Sequence, residues 1–230
     1  MSSSPVPAKV APSYAEHAES VLRRLILEGV FRPGQKLNEV DLSQSLEVSR
    51  GPLREAFQRL AKEGIISLVR NRGAFVAEFN LEQVEQLYEV RIALEVGVAR
   101  LAAHRADEYD LSLMQQAIVA TRFSLENDSV SYPPDLDFHN YIVASVHNPV
   151  LAAKVTEVDS KLRVGRARVG FLPARAVAAY DEHVAIYSAI AARDADRAGT
   201  EMRKHLENCL ANTLRVLQDL GDGDPVTSHT

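Results

Sequence analysis

Hydrophobic residues near the start of the chain recur at intervals of three and four in three short segments, which is the spacing of an amphipathic helix. The first segment follows Ser13, the second follows Asn38, and the third runs from Ser49 to about Lys62. Serine and asparagine are favoured N-cap residues, because their side chains accept hydrogen bonds from the first free N–H groups of a helix. The pattern therefore predicts three short helices, the last of them ended by Gly64.

A hairpin is predicted after the third helix, because two runs with the character of short strands lie at 65–69 and 74–79. The tip between them is basic and consists of Arg70, Asn71, Arg72 and Gly73. Asn and Gly tolerate the positive φ that such a tip requires. Three helices followed by a hairpin predict a winged helix-turn-helix domain over residues 13–78.

From residue 79 onward the hydrophobic spacing is helical almost throughout, and prolines mark the breaks. Asn80 and Gln83 have the spacing of a capping box at the start of this region. The predicted fold is therefore mostly α: an N-terminal winged helix-turn-helix, then an antiparallel all-helical bundle of six to seven helices over residues 79–220. Residues 1–12 and 221–230 are expected to be tails, the first of them disordered. The predicted helices lie at about 81–104, 108–126, 134–147, 149–170, 174–193 and 195–219.

The composition restricts the class of protein. Of the 230 residues, 46% are hydrophobic and 25% are charged, which is the balance of a globular protein rather than of a disordered one. No apolar run approaches the roughly 18 residues of a membrane-spanning helix, and the first residues lack the apolar stretch of a signal peptide. The single cysteine, Cys209, excludes an intrachain disulfide. We therefore expect a cytoplasmic protein with no membrane partner.

The charge of the chain is unevenly distributed. The net charge is −5, yet residues 48–73 contain six lysines and arginines against two glutamates. A basic island in an acidic protein indicates a localised contact with a polyanion. Arg50 and Arg54 lie one turn apart at the start of the third predicted helix, where side chains of a helix in the major groove reach base edges. The alternative is that these two arginines are surface residues that pair with Glu47 and Glu55.

Polar residues interrupt the apolar faces of three predicted helices in the bundle. They are Asp135, His139, His183 and His205. A buried carboxylate is costly unless it is paired or bound to a metal. Imidazole and carboxylate are common ligands of divalent cations, so these residues predict a metal site, for Zn²⁺ first and for Ni²⁺ or Mn²⁺ as alternatives. The alternative to a metal site is that the histidines are hydrogen-bonded core residues and that Asp135 favours its helix N-terminus.

The run GVFRPGQKLNEVDLSQSLEVSRGPLREAFQRLAKEGII, followed by RGAFV, resembles the DNA-binding domain of the GntR superfamily of bacterial transcription regulators. Arg70 and Arg72 at the hairpin tip are placed to reach the minor groove or the phosphate backbone of a duplex. Val40 departs from the pattern, because a fatty-acid-responsive member has arginine there, which implies one lost operator contact. The resemblance implies that the wing around Asn71–Gly73 is the minor-groove element and that the operator is also contacted by Ser49, Arg50, Gly51 and Arg54.

The second half of the chain resembles the FCD subgroup of the same superfamily, the FadR-like regulators that share a helical C-terminal domain. The segments that carry this resemblance are YEVRIALE, DLDFHNYIV, DEHVAIYSAI and MRKHLENC. With the N-terminal match, the resemblance extends from about residue 13 to residue 217. In metal-binding members of the subgroup an Asp and three His hold the metal, and these positions map onto Asp135, His139, His183 and His205.

Arg91 is a further polar residue on an apolar line, here in the first predicted helix of the bundle, with Glu95 one turn below it. One interpretation is an internal ion pair between Arg91 and Glu95. The other, supported by the position of Arg91 in the resemblance, is that its guanidinium holds an organic anion placed on the metal. The sequence leaves both interpretations open.

Together these patterns predict a homodimeric transcription regulator, by default a repressor, that binds a palindromic operator in double-stranded DNA. A small organic acid bound at the metal is the expected effector. The first alternative is a pure metal sensor, in which the cation itself is the effector. The second is a metalloenzyme, which is disfavoured because no additional glutamate has the spacing of a general base and no nucleophile motif is present.

Overall fold

The computed structural model describes residues 13–126, 136–166 and 173–221, and the chain divides into two compact units between Glu78 and Phe79. The elements of the N-terminal unit alternate short helices with short strands. They are α1 (Tyr14–Leu27), β1 (Lys36–Leu37), α2 (Glu39–Ser45), α3 (Arg50–Lys62), β2 (Ile66–Val69) and β3 (Gly73–Val76). This order of elements is that of the predicted winged helix-turn-helix.

The predicted caps explain where two of these helices begin. Ser13 and Glu16 form a capping box at the start of α1, and the side chain of Asn38 accepts a hydrogen bond of 3.0 Å from the N–H of Val40. Ser49 also occupies the N-cap position of α3, but its side chain makes no capping hydrogen bond. The predicted cap is wrong in this respect, because the third residue of the helix is Pro52, which has no N–H to donate.

The strands form one antiparallel sheet in the order β1-β3-β2. Ile66 pairs with Val76 and Val69 pairs with Gly73, which closes the predicted hairpin. The φ angles of Asn71 and Gly73 are 62° and 101°, which is the left-handed backbone predicted for the tip. Strand β1 was not predicted, because two residues are too few for an alternation of hydrophobic and polar positions to appear.

Helix α3 is held on the unit by one side only. Helices α1 and α3 pack together and bury Leu22, Ile26, Leu53 and Leu60, and Glu63 near the end of α3 accepts a 2.7 Å hydrogen bond from Arg23. The opposite side of the first turn of α3 is exposed to solvent. The buried face therefore leaves the N-terminal turn of α3 available to a partner.

Every regular element in the described part of the C-terminal unit is a helix, as the hydrophobic spacing predicted. Its helices are α4 (Leu81–Arg105), α5 (Glu108–Glu126), α6 (Leu136–Ser145), α7 (Pro149–Arg166), α8 (Pro173–Ala191) and α9 (Ala195–Gly221). The predicted capping box is present at the start of α4, because the Asn80 side chain accepts from the N–H of Gln83 at 2.8 Å and its own N–H donates to Gln83 at 3.0 Å. None of the described helices is both long and apolar enough to cross a membrane.

Helix α4 occupies the middle of the C-terminal unit. It packs against α9 along much of its length and also contacts α6, α7 and α8. Its buried positions include the expected apolar side chains, but Arg91 and Glu95 are buried among them with 1% of their surface exposed. A central helix with two buried charges brings polar chemistry into the core of the unit.

Candidate nucleic-acid interface and metal centre

The first turn of α3 presents an open, polar surface. Ser49, Arg50 and Gly51 are exposed, and a Cβ atom added at Gly51 would meet no atom within 4 Å. Packing inside the unit therefore does not require a glycine at this position. Within the described residues Arg50 has no ion pair, so the predicted alternative pairing with Glu47 is not found. The absence of a side chain at Gly51 leaves room for another molecule to approach the backbone of α3 closely.

Arg54 is tethered by an unpredicted partner. Its side chain is 66% exposed, its Nε contacts Glu39 Oε1, and its Nη2 donates to Glu39 Oε2 at 3.2 Å. The predicted alternative pairing of Arg54 with Glu55 is wrong, because Glu55 pairs with Arg59 at 2.6 Å. A bidentate contact between α2 and α3 holds the Arg54 guanidinium in one orientation, as this geometry does for carboxylates generally.

The wing and the helices line a single groove in the N-terminal unit. Its lining includes Arg54 of α3, Glu39 of α2 and the hairpin tip. Arg72 is placed over the ring of Phe75, with 5.6 Å from Cζ to the ring centroid. Positive charges outnumber the single acidic side chain of the lining and are supplied by Lys36, Arg54, Arg70 and Arg72. The groove is therefore suited to a polyanion.

Three buried histidines converge in the C-terminal unit. His139 from α6, His183 from α8 and His205 from α9 are 2%, 2% and 0% exposed, and one nitrogen from each lies within 4.8 Å of the others. The Nε2 atoms of His139 and His205 are 3.1 Å apart. Two nitrogens bound to one tetrahedral Zn²⁺ are about 3.3 Å apart, given Zn–N bonds of about 2.0–2.1 Å. The separation fits two ligands of one metal ion. The predicted fourth ligand, Asp135, lies outside the described residues.

Two glutamates orient two of the three imidazoles. Glu95 contacts Nδ1 of His139, and Glu182 accepts a 2.7 Å hydrogen bond from Nδ1 of His205. A proton held on Nδ1 leaves the lone pair of Nε2 free, and both Nε2 atoms face the centre of the cluster. Carboxylates behind the ligating histidines are typical of protein metal sites, so the donor set and its orientation both fit a divalent cation.

The electrostatics keep both glutamates ionised. Burial alone would raise the pKa of Glu95. The nearby Arg91 and His139 lower it by more than burial raises it, so the pKa of Glu95 lies below its usual range. For Glu182 burial acts in the same direction, and hydrogen bonds from His205, Asn208 and Arg175 lower its pKa to about 2. The imidazoles of His139 and His205 are therefore each backed by a negative charge, which increases their basicity toward a cation.

Arg91 forms the ion pair that was one of its two predicted interpretations. Its Nε donates to Glu95 Oε1 at 2.5 Å, so the ion pair exists. Its Nη1 and Nη2 are buried, and neither has a hydrogen-bond partner among the described residues. A buried donor without an acceptor costs about 1–3 kcal/mol, more when it is charged. The guanidinium is thus held at one edge and lacks an acceptor at the other.

Comparison with known proteins decides the class. The family model described as "Bacterial regulatory proteins, gntR family" matches residues 14–76, and the FCD domain model matches residues 86–208, more than half of the chain. The chain belongs to the GntR family of bacterial transcriptional regulators, within the group that carries an FCD domain. Both predicted resemblances are thereby confirmed, and the chain is a DNA-binding regulator rather than an enzyme.

Individual relatives agree with this assignment. The GntR regulator is 31% identical over 205 residues to the HTH-type transcriptional regulator LutR of Bacillus subtilis, which covers 80% of this chain and 94% of LutR. It is 28% identical over 198 residues to the galactonate operon transcriptional repressor of Escherichia coli, with 77% and 86% of the two chains covered. The structure of E. coli McbR/YncC has the same fold, with a TM-score of 0.79 at 19% identity over 91% of this chain and 100% of that one.

The structure of this GntR regulator brings together most of the predicted site residues but not all in one place. Arg54 and Arg70–Gly73 line the groove, whereas Ser49, Arg50 and Gly51 lie outside its lining. In the FCD domain the three histidines meet as predicted by their positions on apolar faces. Sequence reasoning missed the roles of Glu95 and Glu182 behind the histidines. Glu95 carried a signal, because it shares the buried face of α4 with Arg91, but Glu182 had none beyond its place beside His183.

Proposed function

We propose that this regulator is a homodimeric repressor. Its affinity for a palindromic operator is controlled by a small carboxylate that binds at a metal ion in the FCD domain. The observation that carries the proposal is the juxtaposition of three convergent imidazoles with a buried guanidinium whose two Nη atoms lack acceptors among the described residues. Glu95 links the two features, because it contacts His139 with one oxygen and Arg91 with the other. A cation and a fixed guanidinium on either side of one glutamate are complementary to a small anion.

Four side chains would hold the metal: Asp135, His139, His183 and His205. Zn²⁺ is the favoured ion, with Ni²⁺ and Mn²⁺ as alternatives, because imidazole and carboxylate ligands suit all three. The ion supplies a positive charge on which a ligand carboxylate can rest. The protein's own part is to orient the imidazoles through Glu95 and Glu182 and to offer the Nη atoms of Arg91 to the same carboxylate.

On the DNA side, we infer that the first turn of α3 enters the major groove. Arg50 and Arg54 are the side chains that reach base edges or phosphates there, and Ser49 and Gly51 allow the backbone to approach. Asn71 and Gly73 shape the tip of the wing so that Arg70 and Arg72 reach the minor groove or the backbone. Such a protein acts where the operator is, which for a bacterium is the cytoplasm.

The effector class follows from charge rather than from shape. One relative is a repressor of a galactonate operon, and galactonate is a carboxylate, which supports an organic acid as the effector. Control requires that the acid bind the DNA-competent and DNA-released arrangements with different affinities. A tenfold change in operator affinity corresponds to only about 1.4 kcal/mol of this difference.

A thermal-shift screen of small organic acids, run with metal and after its removal by a chelator, tests the proposal. An acid present at about 100 times its Kd should add roughly 2.7 kcal/mol of stability, and only when metal is present. The alternative hypothesis, a pure metal sensor, predicts stabilisation by the cation and none by any acid. The unsatisfied Nη atoms of Arg91 favour the acid, because a bare cation would not supply them with an acceptor.

A further inference from the structure

A second buried group near Arg91 lacks a hydrogen-bond partner. It is an acceptor, whereas the Nη atoms of Arg91 are donors. The Oδ1 atom of Asp159, in α7, is buried without a donor among the described residues. Its nearest cation is Arg166, whose Nη2 is 3.9 Å away, too far for a hydrogen bond. Arg91 and Asp159 attract each other electrostatically, yet no hydrogen bond joins them. Unsatisfied donors and an unsatisfied acceptor therefore occur in one polar cluster.

Neighbouring side chains explain why neither arginine forms a hydrogen bond with Asp159. Arg166 donates through Nη1 to the hydroxyl of Tyr88 at 3.4 Å, and that hydroxyl pairs with Thr213 at 3.1 Å. Arg91 stands over the ring of the same Tyr88, with 6.0 Å from Cζ to the centroid, and its Nε is occupied by Glu95. Both arginines are held by other partners, and neither donates a hydrogen bond to Oδ1 of Asp159.

Buried polar atoms in native proteins are nearly always satisfied, by protein, water or ligand. A ligand that satisfies this cluster needs an acceptor for Arg91 and a donor for Asp159. A carboxylate supplies the first, and a hydroxyl or an ammonium group supplies the second. The cluster favours the hydroxyl, because Arg91 and Arg166 are both close to Asp159 and would repel a further cation.

We infer that Asp159 forms a second subsite of the proposed effector site, which receives a hydroxyl group of the ligand while Arg91 receives its carboxylate. The inference rests on the proposed function and narrows its ligand to hydroxycarboxylates. Burial without a donor raises the pKa of Asp159, and a ligand hydroxyl would supply the missing hydrogen bond. Asp159 thereby becomes the residue that distinguishes a hydroxy acid from its plain counterpart.

Matched ligand pairs test this assignment in the metal-loaded, full-length protein. Calorimetric titration compares malate with succinate and lactate with propionate, because each pair differs by one hydroxyl. We expect the hydroxylated member of at least one pair to bind about tenfold more tightly or better. In Asp159→Leu this preference should fall to near one while the affinity for the plain acid is retained. The control is Asp196→Leu, the same substitution at a side chain that is 95% exposed, and it should keep the preference.

Four other results would overturn the inference in distinguishable ways. Equal binding within every pair, or a preference that survives in Asp159→Leu, removes the hydroxyl subsite and leaves the carboxylate site intact. Tighter binding of aspartate or alanine than of malate or lactate shows that the group on Asp159 is an ammonium. Failure of every acid to bind the metal-loaded protein overturns the proposed function as well. If Asp159→Leu does not fold, the comparison within each pair in the unmodified protein remains decisive.

Discussion

The carboxylate of Glu95 contacts Nδ1 of His139 from one oxygen, and its other oxygen accepts a hydrogen bond from Arg91. These residues lie on α4 and α6, and all three are almost fully buried. One glutamate therefore touches both the candidate metal ligand and the candidate anion receptor. Any movement of this carboxylate changes its contacts with both His139 and Arg91, so ligand and metal are expected to bind cooperatively.

Replacing Glu95 should weaken the metal site without removing a metal ligand. In Glu95→Gln the negative charge behind His139 is lost, and we expect Zn²⁺ affinity to fall by about 10–100-fold. Competition with a chromophoric chelator measures this affinity. Glu89→Gln, at an exposed position of the same helix, is the matched control and should bind Zn²⁺ normally. Unchanged affinity in Glu95→Gln would show that Glu95 serves only the ion pair with Arg91.

Removing a proposed ligand should abolish stoichiometric metal. His139→Ala and His205→Ala each delete one of the convergent nitrogens, so fewer than one ion per chain should remain after dialysis. Metal analysis gives the stoichiometry, and circular dichroism verifies that the variants stay helical. His104→Ala, an exposed histidine of α4, should retain its metal. Full metal retention in both ligand variants would dismiss the proposed ligand set.

Arg50 is the sharpest test of the DNA-binding surface. Arg50→Ala should cost roughly 1–3 kcal/mol of specific binding and relax the preference at one base pair. Fluorescence anisotropy with operator variants measures both effects. Arg215→Ala, an exposed arginine of α9, should bind as the unmodified protein does. An unchanged sequence preference in Arg50→Ala would mean that the start of α3 does not face base edges.

The pair formed by Arg54 and Glu39 predicts a variant that binds DNA more tightly than the unmodified protein. Glu39 neutralises Arg54 in the free protein and would also repel phosphates. Glu39→Gln should therefore tighten DNA binding several-fold at low salt, and the gain should fade as salt rises. A salt series of binding isotherms measures this. Weaker binding at every salt concentration would instead indicate that Glu39 holds Arg54 in the orientation that DNA requires.

The features predictable from sequence are those that repeat along one helix or strand. Spacings of three and four gave the helices, and the interruption of apolar faces by His139, His183 and His205 gave the candidate metal ligands. Strand β1 was missed because its two residues pair with a strand almost forty positions later in the chain. The partners of His139 and Arg54 were missed for a similar reason. Glu95 is 44 positions from His139, and Glu39 is 15 positions from Arg54, so neither contact leaves a local pattern.

The central claim is that a small carboxylate at the metal of the FCD domain controls operator binding. Its most direct test is the anisotropy of a labelled operator, selected from random duplexes, during titration with an acid that stabilises the protein, at constant Zn²⁺. We predict that the acid changes operator affinity at least about tenfold, and that Arg91→Met, which keeps its metal, loses this response. Operator affinity that follows Zn²⁺ alone and ignores every such acid, in both proteins, would contradict the account.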